Sequence, residues 1–178
     1  MTPVADRRDG YRAEVDRAVS EFGAARVWSA AQLRKARRIC YRTVWAECDW
    51  RNYANRKVPI SINILPNDGY PDHGGDALSV GLYQQMEKWG WGDPAGSMDP
   101  FTATTRFLQG MLRNAPGWFG MAEASVCQET QQSQFDGKRI NPATGKPYPY
   151  AQNYIDRETQ TNLVDENSNY FARVLGRS

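Results

Sequence analysis

The chain has 178 residues, a formal net charge of +2, six Trp, nine Tyr, three Cys and a single His. That length suits one domain with a real core, and so small a charge gives no argument for a nucleic-acid partner. One histidine excludes metal sites built on two or more, such as HExxH. No apolar run approaches the roughly 18 residues of a membrane span, so no membrane, cofactor or metal is expected.

Charged residues Asp6, Arg7, Arg8 and Asp9 open the chain, unlike a secretory signal. Tyr11, Val15, Ala18, Val19 and Phe22 recur at helical spacing and predict a helix over 11–22. Ser29-Ala-Ala-Gln32 reads as a capping box. Behind it Leu33, Ala36, Cys40, Val44 and Glu47 follow at spacings of 3, 4, 4 and 3. At about 100° per residue they share one stripe, which leaves Arg34, Lys35, Arg38 and Arg42 for a solvated opposite face. Glu47 thus falls on the buried stripe near the helix C-terminus. Desolvation and the negative helix end both raise its pKa there. A carboxylic acid that stays protonated near neutral pH suits general acid chemistry. The competing reading is a structural ion pair with Arg37, at the edge of the same stripe. Cys40 and Cys48 would lie about 12 Å apart along the helix, beyond disulfide reach, which fits a reduced site of synthesis.

Val58, Ile60, Ile62 and Ile64 alternate with Pro59, Ser61, Asn63 and Leu65 and predict a strand. The following Pro66-Asn67-Asp68-Gly69-Tyr70-Pro71 is turn chemistry. Helical character is expected at 79–88 and again after Asp99-Pro100, an N-cap followed by proline at the first helical position. A helix over 121–131, a Gly/Pro/Lys-rich excursion over 132–149 and helices at 150–155 and 157–175 complete the chain. The expected class is α+β, mostly helical, with a small β element after the Glu47 helix, in one domain over residues 1–178.

The order AECDWRNYAN (46–55), a variable loop, then SVGLYQQ (79–85) resembles the lysozyme-like and lytic transglycosylase superfamily. Residues 79–107, SVGLYQQMEKWGWGDPAGSMDPFTATTRF, are similar to a version common in actinobacteria and their phages. That version carries S-x-G-L-F-Q-Q, W-G, M-D-P and A-T-x-x-F elements, and Val126, Gln128, Pro149 and Tyr154 echo its later motifs. The chain departs from the family at Cys48, where Ser usually follows the Glu, and in its excursion at 132–149.

The resemblance implies a lysozyme-like fold and a glycosidase cleaving peptidoglycan strands between N-acetylmuramic acid and N-acetylglucosamine. Glu47 would protonate the departing oxygen. Asp76 is the choice for a second carboxylate among Asp68, Asp72 and Asp76. Those three lack the spacing of a calcium loop, and a solvated turn is the simpler reading. Expected glycan contacts are Ser79, Gly81, Tyr83, Gln84, Gln85, Trp89, Trp91 and Tyr154, with Gly81 admitting backbone close to sugar and the rings stacking. The implied protein is a monomeric phage endolysin or virion-associated lysin, synthesised in the host cytoplasm without a signal peptide and acting on the cell wall. It carries no wall-binding module, as suits the catalytic module of a longer protein. The alternatives are a non-catalytic wall-binding or tail structural protein on the same fold, and a Cys127/His73 peptidase.

Overall fold

Helix α2 (Ala30–Cys48) is the axis around which the other elements gather. The computed structural model describes residues 4–70, 78–167 and 170–171. The capping box forms as the sequence predicts: the Gln32 amide donates to Ser29 Oγ at 3.2 Å, and the Ser29 amide donates to Gln32 Oε1 at 2.9 Å. From Ile39 to Val44 every residue of α2 is buried. Such a helix is wrapped on all sides rather than laid on a surface.

Helix α1 (Val4–Ala24) covers one side with Tyr11, Val15, Val19 and Phe22. After α2 come α3 (Pro59–Ile62), α4 (Pro94–Met98) and α5 (Pro100–Asn114). Asp99 caps α5 by accepting from the Thr102 amide at 2.7 Å, with Pro100 in the first turn, as expected from Asp99-Pro100. Then follow α6 (Glu123–Gln131), α7 (Gln152–Ile155) and α8 (Glu158–Glu166). Phe107, Leu108 and Met111 of α5 and Val126 of α6 join Ile39 and Val44 in the main core. The protein is mostly helical, and no described helix is long and apolar enough to cross a membrane.

Three expectations are corrected. The segment 58–65 is not a strand: Pro59 opens the short helix α3. Val58 and Ile62 pack on a small cluster of Ala54, Val80 and Met98, while Ile60 stands 54% exposed. Spacing by two contains spacing by four, so the same isoleucines satisfy one helical face. Nor do residues 79–88 form one helix: 79–86 are a turn and extended chain, and Glu87–Trp89 make a single 3-10 turn. Gly81 and Gln84 take φ of 79° and 48°, a left-handed backbone that a helix does not continue, and Val80 pairs with Gln85 across the turn. That bridge and Ile140–Pro147 are the isolated β pairings among the described residues. The third correction concerns the basic face of α2. Arg42 is 3% exposed, because α6 and α8 pack over that face with Glu123, Glu158 and Asp165.

Candidate functional site

A cleft of about 600 Å³ lies beside the C-terminal end of α2. Glu47 reaches it because the helix stops immediately afterwards: Asp49 and Trp50 both take positive φ, 51° and 60°. The Tyr154 hydroxyl donates to Glu47 Oε1 at 2.7 Å. Burial pushes the Glu47 carboxyl up to about 7, with hydrogen bonds from Tyr154 and Gln131 pulling the other way. No ion pair reaches Glu47 among the described residues. Arg37 pairs instead with Asp165 at 3.4 Å, so it is not the structural partner that the stripe allowed for Glu47. The Tyr154 hydroxyl is itself held well above its ordinary value, by burial first and then by the neighbouring Glu47, and so remains a donor.

Tyr154 is held from behind. Arg42 donates to the Tyr154 carbonyl at 3.2 Å while pairing with Glu123 at 3.0 Å and with Glu158. The buried basic face of α2 therefore fixes the helix that presents the tyrosine to the acid. Two more ties fix the turn at 81–84. Cys48 Sγ donates to the Leu82 carbonyl at 3.1 Å, and Gln131 Nε2 donates to the Tyr83 carbonyl at 2.7 Å. Gln84 lines the cleft with its amide oriented by the Gly81 carbonyl at 2.8 Å and by Ser79 Oγ at 3.1 Å.

Two indoles complete the walls. Trp89 is 68% exposed, and Trp91 packs on α5 at Gly110, where a Cβ would come within 2.9 Å of the ring. Trp91 is thus a seated wall and Trp89 an open platform.

Of the expected contacts, the structure brings Glu47, Gln84, Trp89 and Trp91 into one cleft. The others have different work. A Cβ on Gly81 would collide with the Ser97 carbonyl, so this glycine admits protein backbone rather than sugar. Tyr83 is wholly buried, stacked on Phe107 at 4.8 Å and paired through its hydroxyl with Thr104 at 3.0 Å. Gln85 is buried beneath the turn, Ser79 serves Gln84, and Tyr154 is buried against Glu47. Asp68 is structural: it pairs with Arg7 at 3.4 Å and accepts the Asn52 amide at 2.8 Å. Asp72, His73 and Asp76 lie outside the described residues. All three cysteines are free and buried, and burial pushes the Cys127 thiol up to about 12. A thiol so enclosed makes no nucleophile.

Sequence reasoning missed Gln131, Asn114, Asn153, Arg113 and Arg139, all of which line the cleft. The Gln-rich run at 128–134 was the available signal for the first. The 132–149 excursion forms part of the wall, tied down where the Ala151 amide donates to the Phe135 carbonyl at 2.8 Å and where Tyr150 donates to Glu129 at 2.7 Å. Glu47 is the only carboxylate among the described residues of the cleft. One neutral acid among amides and indoles can protonate an oxygen leaving group and hold amide-bearing rings. The chain matches no known family model and no curated protein.

Proposed function

We propose that the protein is a glycosidase of bacterial peptidoglycan on a lysozyme-like fold, with Glu47 as the general acid. The observation that carries this reading is Glu47 itself: a carboxyl without a cationic partner among the described residues, raised to about 7 by burial and opening on a cleft. The amides of Gln84, Gln131 and Asn153 offer donors and acceptors suited to N-acetyl groups, and Trp89 offers a stacking face. The motif order from Glu47 to Phe107 agrees with it.

In this mechanism Tyr154 donates to Oε1, so the acidic proton sits on Oε2. That proton passes to the glycosidic oxygen as the bond to the anomeric carbon breaks, and the cation-like sugar is then captured by water or by its own hydroxyl. Glu47 ends as a carboxylate and takes a proton from the incoming oxygen. The enclosed thiol of Cys127 argues against the thiol peptidase reading.

The test is mass spectrometry of soluble products from wild type and Glu47→Gln incubated with purified actinobacterial peptidoglycan. Disaccharide-peptides from wild type alone are expected, with hydrated ends marking a lysozyme and 1,6-anhydro ends a transglycosylase. Bare peptides, or equal release by both proteins, would contradict the mechanism. Release by neither would favour a binding or tail structural protein.

A further inference from the structure

Two arginines line the cleft, one from α5 and one from the 132–149 excursion. Arg113 comes from the last turn of α5 and is exposed, with no ion pair among the described residues. Arg139 comes from the 132–149 excursion, and its partner Asp136 sits 3.4 Å away, with the arginine side chain exposed and the aspartate half-buried. A surface pair of that kind is weak and easily exchanged. Asp136, which does not line the cleft, offsets part of the Arg139 charge, and among the described residues that do line it Glu47 is the only acid, largely uncharged below about pH 7. A cleft lined by one sign of charge concentrates its field on whatever enters. A guanidinium also matches a carboxylate with two parallel hydrogen bonds.

We propose that Arg113 and Arg139 bind a carboxylate carried by the glycan strand, making the cleft selective for acidic over neutral amino-sugar polymers. This rests on the glycosidase reading and names the substrate class of the same site. Two sources supply that chemistry on a wall strand, the lactyl carboxylate of a peptide-free muramic residue and the carboxylates of an attached stem peptide. A neutral polymer of N-acetylglucosamine supplies neither. The excursion at 132–149 therefore acts as a specificity element, bringing Arg139 to a cleft whose acid stands on α2.

The experiment compares wild type, Arg113→Gln, Arg139→Gln and the double variant on peptide-bearing strands, peptide-free strands and strands with amidated carboxyls. The double variant should lose about tenfold in kcat/KM on carboxylate-bearing strands, chiefly through KM, and less than about twofold on amidated ones. Arg113→Lys should recover part of the loss. The strand type on which the loss is larger locates the carboxylate. An equal loss on amidated strands, or no loss on any, would overturn the proposal. Binding to the same three strands, followed by tryptophan fluorescence in a Glu47→Gln background, decides the matter independently of cleavage. If wild type cuts no strand the glycosidase reading fails, yet charge-dependent binding lost with the arginines would still support the proposal. Absent or charge-independent binding would end it.

Discussion

Glu47 stands at the cleft end of α2 and Glu158, its side chain 54% exposed, packs against the basic face of the same helix, and their surroundings differ in burial and in partner. Glu158 meets Arg42 and Arg38, and the hydrogen bond from Arg42 holds its carboxyl below the usual range. Glu47 meets a tyrosine and an amide and, among the described residues, no cation, and burial carries it up to about 7. The same side chain is a structural anion in one place and a reservoir for a proton in the other. Burial and partner decide together: desolvation favours the neutral form of Glu47, and a cationic hydrogen-bond donor favours the charged form of the more exposed Glu158. The two regions are also joined. Arg42 spans them, pairing with Glu158 and holding the carbonyl of the residue whose hydroxyl meets Glu47.

The largest effect should come from removing the acid. Glu47→Gln should lower glycan cleavage by about 10³-fold or more while far-UV circular dichroism stays unchanged. Its stability should change with a definite sign. The folded protein keeps the Glu47 proton to about pH 7, whereas the unfolded chain releases it near the ordinary value of 4.5. Wild type therefore loses stability as pH rises through that window, and the glutamine variant does not. Above pH 7 the variant should be the more stable, by on the order of 3 kcal/mol at most, read from urea midpoints. Wild-type kcat/KM should correspondingly decline as pH rises through about 7.

Breaking the other side of the comparison comes next. Arg42→Met leaves Glu123 and Glu158 with Arg38 alone and frees the Tyr154 carbonyl. It should destabilise by about 2 kcal/mol and reduce cleavage as well, which urea titration and an activity assay at low temperature would separate. Tyr154→Phe should act more gently. The tyrosine lowers the Glu47 pKa, so its loss should move the alkaline limb of the pH–rate profile upward by about one unit. An unmoved limb would detach Tyr154 from the acid. Smallest of all, Ser29→Ala removes one half of the capping box at the far end of α2 and should cost about 1 kcal/mol with activity unchanged.

The helix that carries Glu47 was legible because its signals are local: a cap at Ser29, one apolar stripe and a charged residue out of place on it. The cap at Asp99 was legible for the same reason. The errors arose where distant contacts decide. The isoleucines after Val58 fit two periods, and only Met98 and Val80 from elsewhere select the helix. Arg38 and Arg42 look like a solvated face until α6 and α8 lie across them. Glycine at 81 correctly announced a close approach but could not say to what, and the structure puts the Ser97 carbonyl there. Tyr83 carries a ring and a hydroxyl that suit a sugar as well as a core, and Phe107 and Thr104 claim both. In the cleft, the resemblance led to Gln84, Trp89 and Trp91, while Gln131, Arg113 and Arg139 emerge only once α5, α6 and the 132–149 excursion converge.

The most direct test of Glu47 as a neutral acid is a carbon-13 NMR titration of the glutamate side-chain carboxyls, with Glu47 assigned by comparison against Glu47→Gln. An apparent pKa near 7, rising when Tyr154 is replaced by phenylalanine, is the predicted result. A value near the ordinary 4.5 in the folded protein would contradict the account, because the carboxyl would then have no proton to give at neutral pH.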